Sequence, residues 1–434
     1  MRIRRLIPWL AALLPPAFLT IVTFRYYVPV PFSDEWMVAL LLEKFYQGRL
    51  TFFDLWKQVC DHRFVFPRIL EIGLARLTSW NHYAQILMNL SFAFLTFFVV
   101  SLPLVKFCWD SKDDRPLWVL LPFSLTVFSL RQYELWLWGD GICFITCILC
   151  AMAATAALSQ KVFRWSFFWC AAILSIISTY SLAAGLICWP VGFILLSLTE
   201  FTKKETKISA LLAWGAIFLA VSASYFYSFG FGQPCFTPSL FYAWEHPSKA
   251  FFRFFSYLGA LLSETERKAR FFGLMGFLWF SILTVFLFYR RNRYQKEFLP
   301  YLGFGLFSIG GGIMIVIGRT PVWASRYTTL SYPFWISILG MTVFFLKSVA
   351  GKYARYLGIF ALGGITFSIF SASVSSQYHF RWYKEKIEPA RRELFTLKDK
   401  ELDKKLFCHW GEEFLKERVK FLREHKLSVF RGAP

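Results

Sequence analysis

Charge is scarce in this 434-residue chain: only 17% of its residues are Asp, Glu, Lys or Arg, and it holds 27 acidic residues and 6 histidines. A water-soluble domain carries charge at roughly a quarter of its positions, so the deficit excludes a water-facing surface over most of the chain. HExxH, paired CxxC and a Ser-His-Asp order are all missing, and so is the machinery for a soluble nucleotide-sugar donor. The glycines Gly303, Gly305, Gly310, Gly311, Gly312 and Gly318 lie in an apolar run with no Gly-Lys-Ser/Thr. They therefore do not form a phosphate loop, and close helix packing or a bend is expected of them.

What is abundant is apolar. The chain is 56% hydrophobic and 21% aromatic, with 52 Phe and 18 Trp, and its mean hydropathy is +0.46. Lipid is the solvent such a composition suits, and Trp and Tyr suit the two headgroup levels. The net charge of +21 would suggest nucleic acid in a soluble protein. Here it reads as positive-inside topology and attraction to anionic lipid, with no nucleic-acid partner. Of nine cysteines, Cys143, Cys147 and Cys150 share a helical face without His or carboxylate, so they read as small buried side chains and not as metal ligands.

A membrane span needs about 20 apolar residues. Eleven candidates run roughly 6–24, 82–105, 116–130, 136–158, 165–180, 184–199, 208–228, 271–289, 298–318, 328–346 and 356–373, which predicts an all-α polytopic membrane protein. A basic start, Met1 to Arg5, resembles the n-region of a signal peptide. No small-x-small site follows, and Pro15-Pro16 interrupt the span, so a retained first span is expected. With the N-terminus in the cytoplasm, the short basic segments all fall inside: Arg2 to Arg5, Lys106 to Arg115, Lys161/Arg164, Lys203 to Lys207, Arg290 to Lys296 and Lys347 to Arg355. The positive-inside rule supports that orientation.

The opposite segments are tiny, or long and charge-mixed, as in 25–81 and 229–270. Segment 25–81 is too charged to span and too apolar to be a solvated linker. Amphipathic surface helices are expected near 35–47, 52–60 and 65–79. The membrane domain is thus 1–373, including both outer segments, and 374–434 is an extracytoplasmic helical tail. Cys60, Cys235 and Cys408 are expected outside and Cys108 inside.

Charged residues collect at the outer span ends: Asp34-Glu35-Trp36, Asp61-His62-Arg63, Arg68, Arg131, Glu134, Asp140, Arg319 and Ser325-Arg326-Tyr327. Charge beside apolar runs is costly, so several together predict a shared polar cavity. Pro29 and Pro31 stop the first helix and hold the acids near the interface. A carboxylate there suits a general base or a divalent-metal ligand; Asp34 is expected to act, to hold any metal ion, and to be supported by Glu35. Arg63, Arg68, Arg319 and Arg326 suit bidentate contact with phosphate. His62 and Tyr327 would assist them, while Asp61, Arg131, Glu134, Trp138 and Asp140 would support the site or meet an acceptor.

Several short motifs resemble a bacterial group of multispan proteins within the membrane-embedded, C-type-fold (GT-C) glycosyltransferases. They are Asp34-Glu35-Trp36; Asp61-His62-Arg63-Phe64-Val65-Phe66-Pro67-Arg68; Glu134 to Gly139; Ser181 to Pro190; Ser325-Arg326-Tyr327; and Leu427-Ser428-Val429-Phe430. The chain departs from the group's pattern at Asp61, where Glu is usual, at Leu135, where an amide is usual, and at Asp140-Gly141, where Phe-Gln is usual. The resemblance implies sugar transfer with inversion from a polyprenyl-phosphate-linked donor to a glycan, lipid or protein acceptor. It also implies a catalytic acid in the first outer loop, where Asp34 stands, and a place in cell-envelope glycan synthesis at the bacterial cytoplasmic (inner) membrane. Two other readings remain open: a lipid-linked-sugar flippase or transporter, and an oligosaccharide polymerase or ligase with a diphosphate-linked donor. Polar residues on one face and the lack of an inverted repeat weigh against the transporter; the acid after the first span weighs against the polymerase.

Overall fold

A computed structural model describes residues 2–230, 242–289, 295–318, 324–397 and 401–431. All regular structure among them is helical, with two isolated β-bridges, Val59 to His62 and Val162 to Glu200. Among the described residues, eight helices are long and apolar enough to cross a membrane: Arg5–Tyr26, His82–Ser111, Gly139–Leu158, Lys204–Phe226, Glu266–Tyr289, Glu297–Gly318, Ser325–Ser348 and Lys352–Glu393. The chain is a helical polytopic membrane protein. Two further predicted spans are shorter apolar helices, Trp165–Thr179 and Ala183–Leu198. The predicted span 116–130 is a 3-10 turn, Arg115–Val119, leading into an α-helix, Leu120–Val127.

The bundle has two chemically different ends. At one, the predicted cytoplasmic segments meet: Arg5 pairs with Asp114 at 2.9 Å, Lys347 with Asp113, and Lys161 with Glu297 at 3.0 Å. At the other end lie segment 25–81 and the C-terminal tail. Pro15 and Pro16 open the second half of the first span, which breaks at Leu13 into Arg2–Ala12 and Leu14–Tyr26. Tyr27 is extended, and Val28 and Val30 are fully buried as the chain leaves the helix. The three surface helices form at Glu35–Tyr46, Phe52–Trp56 and Val65–Thr78, close to the expected bounds.

Helix Ser325–Ser348 runs through the centre, with every residue from Tyr327 to Phe345 buried. Its neighbour Gln295–Gly318 carries the glycine run. A Cβ on Gly303, Gly305, Gly310 or Gly312 would lie 2.3–2.6 Å from Thr155, Phe280, Ile187 or Tyr257, so these positions serve close packing. Gly318 has open space around it. The cysteines Cys143, Cys147 and Cys150 are buried.

The tail begins without a linker: the helix Lys352–Ser375 meets Gln377–Glu393 at Ser376. Further on come Leu402–Lys405 and Gly411–Glu424. Ser33 N–H donates to Leu406 O at 3.0 Å, Arg418 pairs with Glu43 at 3.0 Å, and Ser428 N–H donates to Ser79 O at 3.1 Å. The tail therefore packs on segment 25–81. Two expected outer thiols are not reactive groups, since Cys60 is disulfide-bonded and Cys408 is buried. Cys108 is buried too, and Cys235 lies outside the described residues.

Candidate functional site

Tyr27 to Pro31 run extended or irregular, and Ser33 takes a left-handed conformation at φ 54°. This turn places Asp34 immediately before the helix Glu35–Tyr46. Glu35 fastens it: its Oε2 accepts the Phe32 N–H at 2.9 Å. A second strut is Trp138, whose indole N–H donates to Phe32 O at 3.0 Å. The 135–139 segment is in turn gripped by Asn89, whose amide reaches the carbonyls of Leu135 and Trp138 at 3.4 and 3.3 Å. Gly139 is needed here, because a Cβ would come within 2.3 Å of Glu35 Oε1.

These contacts build one wall of a cavity of about 610 Å3 at the end of the bundle that carries segment 25–81 and the tail. Of the residues singled out from the sequence, Asp34, His62, Glu134, Trp138, Asp140, Arg326 and Tyr327 line it. His62 Nδ1 accepts the Ala183 N–H at 3.3 Å, which makes Nε2 the protonated nitrogen of the neutral ring. Glu134 Oε2 accepts from Arg326 at 3.3 Å, and the Arg326 side chain remains 38% exposed, enough to meet a ligand.

The other candidates stand behind the wall. Arg63, expected on phosphate, donates to three carbonyls: Tyr225 O at 2.7 Å, Trp56 O at 2.7 Å and Tyr227 O at 2.5 Å. Arg68, expected in the same role, is buried and donates to Glu71 at 2.7 Å and Asp140 at 2.8 Å; it orients Asp140 from behind. Arg131 donates to Ala260 O and Ser263 O at 3.1 and 3.2 Å, tying down the turn between two helices. Asp61 offers its backbone carbonyl to the Tyr225 hydroxyl at 2.8 Å and does not line the cavity. Glu35 is 1% exposed and also absent from the lining, so its support of Asp34 comes through the backbone. Arg319 lies outside the described residues.

Sequence reasoning overlooked the tail's share. His379, Trp382, Tyr383, Phe407, His409 and Trp410 complete the cavity, together with Tyr133, which stacks on His379 with ring centroids 4.0 Å apart. The signal was there, in an aromatic cluster from Tyr378 to Tyr383 and again at Phe407 to Trp410. Charged neighbours masked it.

Three carboxylates, Asp34, Glu134 and Asp140, face the cavity beside Arg326, three histidines and a set of aromatic rings. Burial first, and then the charge of Asp140, raise the Asp34 carboxyl above its ordinary range; Arg68, His409 and Arg326 pull the other way. Burial raises Glu35 well above its ordinary range, against the Phe32 N–H that favours its charged form. Among the described residues no group of three or more His, Cys, Asp or Glu side chains is placed to hold a metal ion. One or two carboxylates suffice for Mg2+ when substrate phosphates and water complete the shell, and Asp34, Glu134 and Asp140 are the carboxylates that line the cavity. The chain matches no protein-family model, no curated protein and no solved structure.

Proposed function

We propose that this protein is an integral-membrane glycosyltransferase of the C-type fold. It takes a sugar from a polyprenyl-phosphate-linked donor and transfers it, with inversion, to a glycan, lipid or protein acceptor. The observation that carries this reading is Asp34: a carboxylate whose proton affinity is raised, held on a braced turn at the outer ends of the helices, in a cavity walled by aromatic rings. Rings such as Trp138, Trp382 and Trp410 offer apolar faces to the C–H faces of a sugar, and carboxylates and imidazoles bond its hydroxyls.

In the reaction, Asp34 takes the proton of the acceptor hydroxyl while that oxygen attacks the anomeric carbon. The bond from this carbon to the phosphate oxygen breaks, and polyprenyl phosphate leaves with the electron pair. Arg326 and the Nε2–H of His62 stand on the same cavity and oppose the leaving charge. Arg326 is the only arginine among the described lining residues, which suits a single phosphate better than a diphosphate and favours transfer over polymerisation.

In the membrane, the chain crosses eleven times, the two shorter apolar helices and the 115–127 segment included. The N-terminus lies in the cytoplasm, and the cavity and tail lie outside, in the bacterial cytoplasmic membrane. The disulfide at Cys60 supports this, because an oxidised cysteine suits the oxidising side. To test the function, the purified full chain is incubated with radiolabelled polyprenyl-phosphate sugars. Transfer or slow hydrolysis that disappears in Asp34→Asn is expected; neither binding nor turnover with any such donor sinks the proposal.

A further inference from the structure

A second cavity, of about 380 Å3, opens at the same end of the bundle, between the end of the first span, the start of the helix His82–Ser111 and the tail. Its charge is the reverse of the first. Arg25, Lys384, Arg391 and Arg431 line it against a single carboxylate, Glu388, and Glu388 is itself paired with Arg391 at 3.2 Å and with Arg392 at 3.6 Å. The Nε of Arg391 is buried without a hydrogen-bond partner. An unmet guanidinium N–H in such a place is a cost that an anion removes.

The floor has the same polarity. Asn81, the N-cap of a 30-residue helix, and His82 and Tyr83 in its first turn line the cavity; Asn81 Oδ1 accepts the Tyr83 N–H at 3.1 Å, and the helix N-terminus still carries a partial positive charge. Ser428 adds a hydroxyl, held 2.6 Å from His82 Nε2. Depth in the membrane then narrows the ligand. Arg25 is one residue from the end of a span and His82 begins another, so the site lies at headgroup level. Just below, Ile21 and Leu87 are 66% and 50% exposed, and Phe24 stacks on Tyr83 at 5.8 Å, an apolar flank for acyl chains.

We propose that this cavity binds the phosphate of an anionic membrane phospholipid, which pins the tail against the membrane domain at a site distinct from the aromatic cavity. The site depends on the negative charge of the phosphodiester and on acyl chains that reach the bilayer. A zwitterionic lipid presents the same phosphate next to a fixed cation, which meets four basic residues, so phosphatidylglycerol is preferred over phosphatidylcholine.

Native mass spectrometry of the detergent-solubilised full chain tests this, with phosphatidylglycerol and phosphatidylcholine offered in turn. One retained phosphatidylglycerol per chain is expected, held roughly tenfold more weakly after Arg25→Gln combined with Arg431→Gln, both exposed and tolerant positions. Arg391→Gln alone weakens it as well. Lys352→Gln with Arg355→Gln, at the opposite end of the bundle, leaves retention unchanged and controls for lost charge. Equal retention of the two lipids, or equal retention by wild type and both site variants, overturns the proposal. Displacement of phosphatidylglycerol by millimolar inorganic phosphate overturns the lipid as the source, since the acyl chains then add nothing. None of these readings depends on sugar transfer, so the two proposals fail separately.

Discussion

Arg326 reaches one oxygen of Glu134 twice, through its backbone N–H at 3.0 Å and through its guanidinium at 3.3 Å. The two residues are 192 positions apart, and the contact locks the start of the central helix to the 133–137 turn of the aromatic cavity. One arginine thus sets the shape of the wall and offers a cation to a ligand.

Arg326→Lys keeps the charge and loses the fork. A lysine at this place cannot hold Glu134 and a phosphate together. The expected loss in kcat/KM is roughly 10- to 100-fold, the value of one hydrogen bond to a charged group. Measured donor affinity and turnover equal to wild type would reduce Arg326 to a packing residue.

Asp34→Asn removes the proposed base and keeps the shape. Transfer should fall by about 100- to 10,000-fold, with donor binding retained. Glu35→Gln should cost far less, because Glu35 touches the cavity only through the turn it braces. The reverse ranking in a transfer assay would make Glu35 the base and disqualify the reading of the turn.

The two carboxyls also separate by pH. Because the Asp34 carboxyl is raised above its ordinary range, the acid limb of the rate profile should lie at higher pH than for an unperturbed aspartate, and it should vanish from the residual activity of Asp34→Asn. Glu35 acts on stability. Its folded pKa is raised above the ordinary 4.5, so the folded state binds the proton more tightly than the unfolded one. The stability this brings is present below 4.5 and is lost as pH rises towards the folded value. Glu35→Gln should therefore flatten the decline in thermal stability above that pH. Glu71 shifts in the same direction, so part of the decline remains. A variant as pH-dependent as wild type would contradict the assignment.

Topology is open to thiol chemistry at new positions, since Cys60 and Cys408 offer no reactive thiol. A cysteine at the exposed Thr51 should be labelled by an impermeant maleimide added to intact spheroplasts. One at the exposed Lys352 should be labelled only after the membrane is opened. Labelling of both from one side would break the alternation of the helices.

Much of this fold was readable in the chain. Pro15-Pro16 and Pro29/Pro31 mark the breaks that the helices observe, and the apolar patterning located the three surface helices to within a few residues. Asp34, Glu134 and Asp140 were legible because a carboxylate beside an apolar run needs a polar neighbour. Arg326 was legible in the same way; Arg63, Arg68 and Arg131 were not. Arg63 and Arg131 each bond to carbonyls far along the chain, 162 and 129 residues away among them, and nothing in the local sequence separates an arginine that holds a backbone from one that holds a phosphate. The tail's aromatic lining was hidden for a related reason: an amphipathic helix states that it has a partner, not which one.

The buried course of helix Ser325–Ser348 has a consequence for how the protein is made. It is the least apolar of the eight long helices, and Ser331, Ser337 and Thr342 punctuate it on faces that lipid would otherwise touch. Alone in a bilayer it would be the weakest inserter of the set. Its neighbours in space include the earlier helices 142–158, 266–289 and 295–318 and the later helix 352–375. The ribosome therefore delivers the centre of the bundle after most of the helices that surround it, into a slot that the earlier helices must already have assembled and kept open.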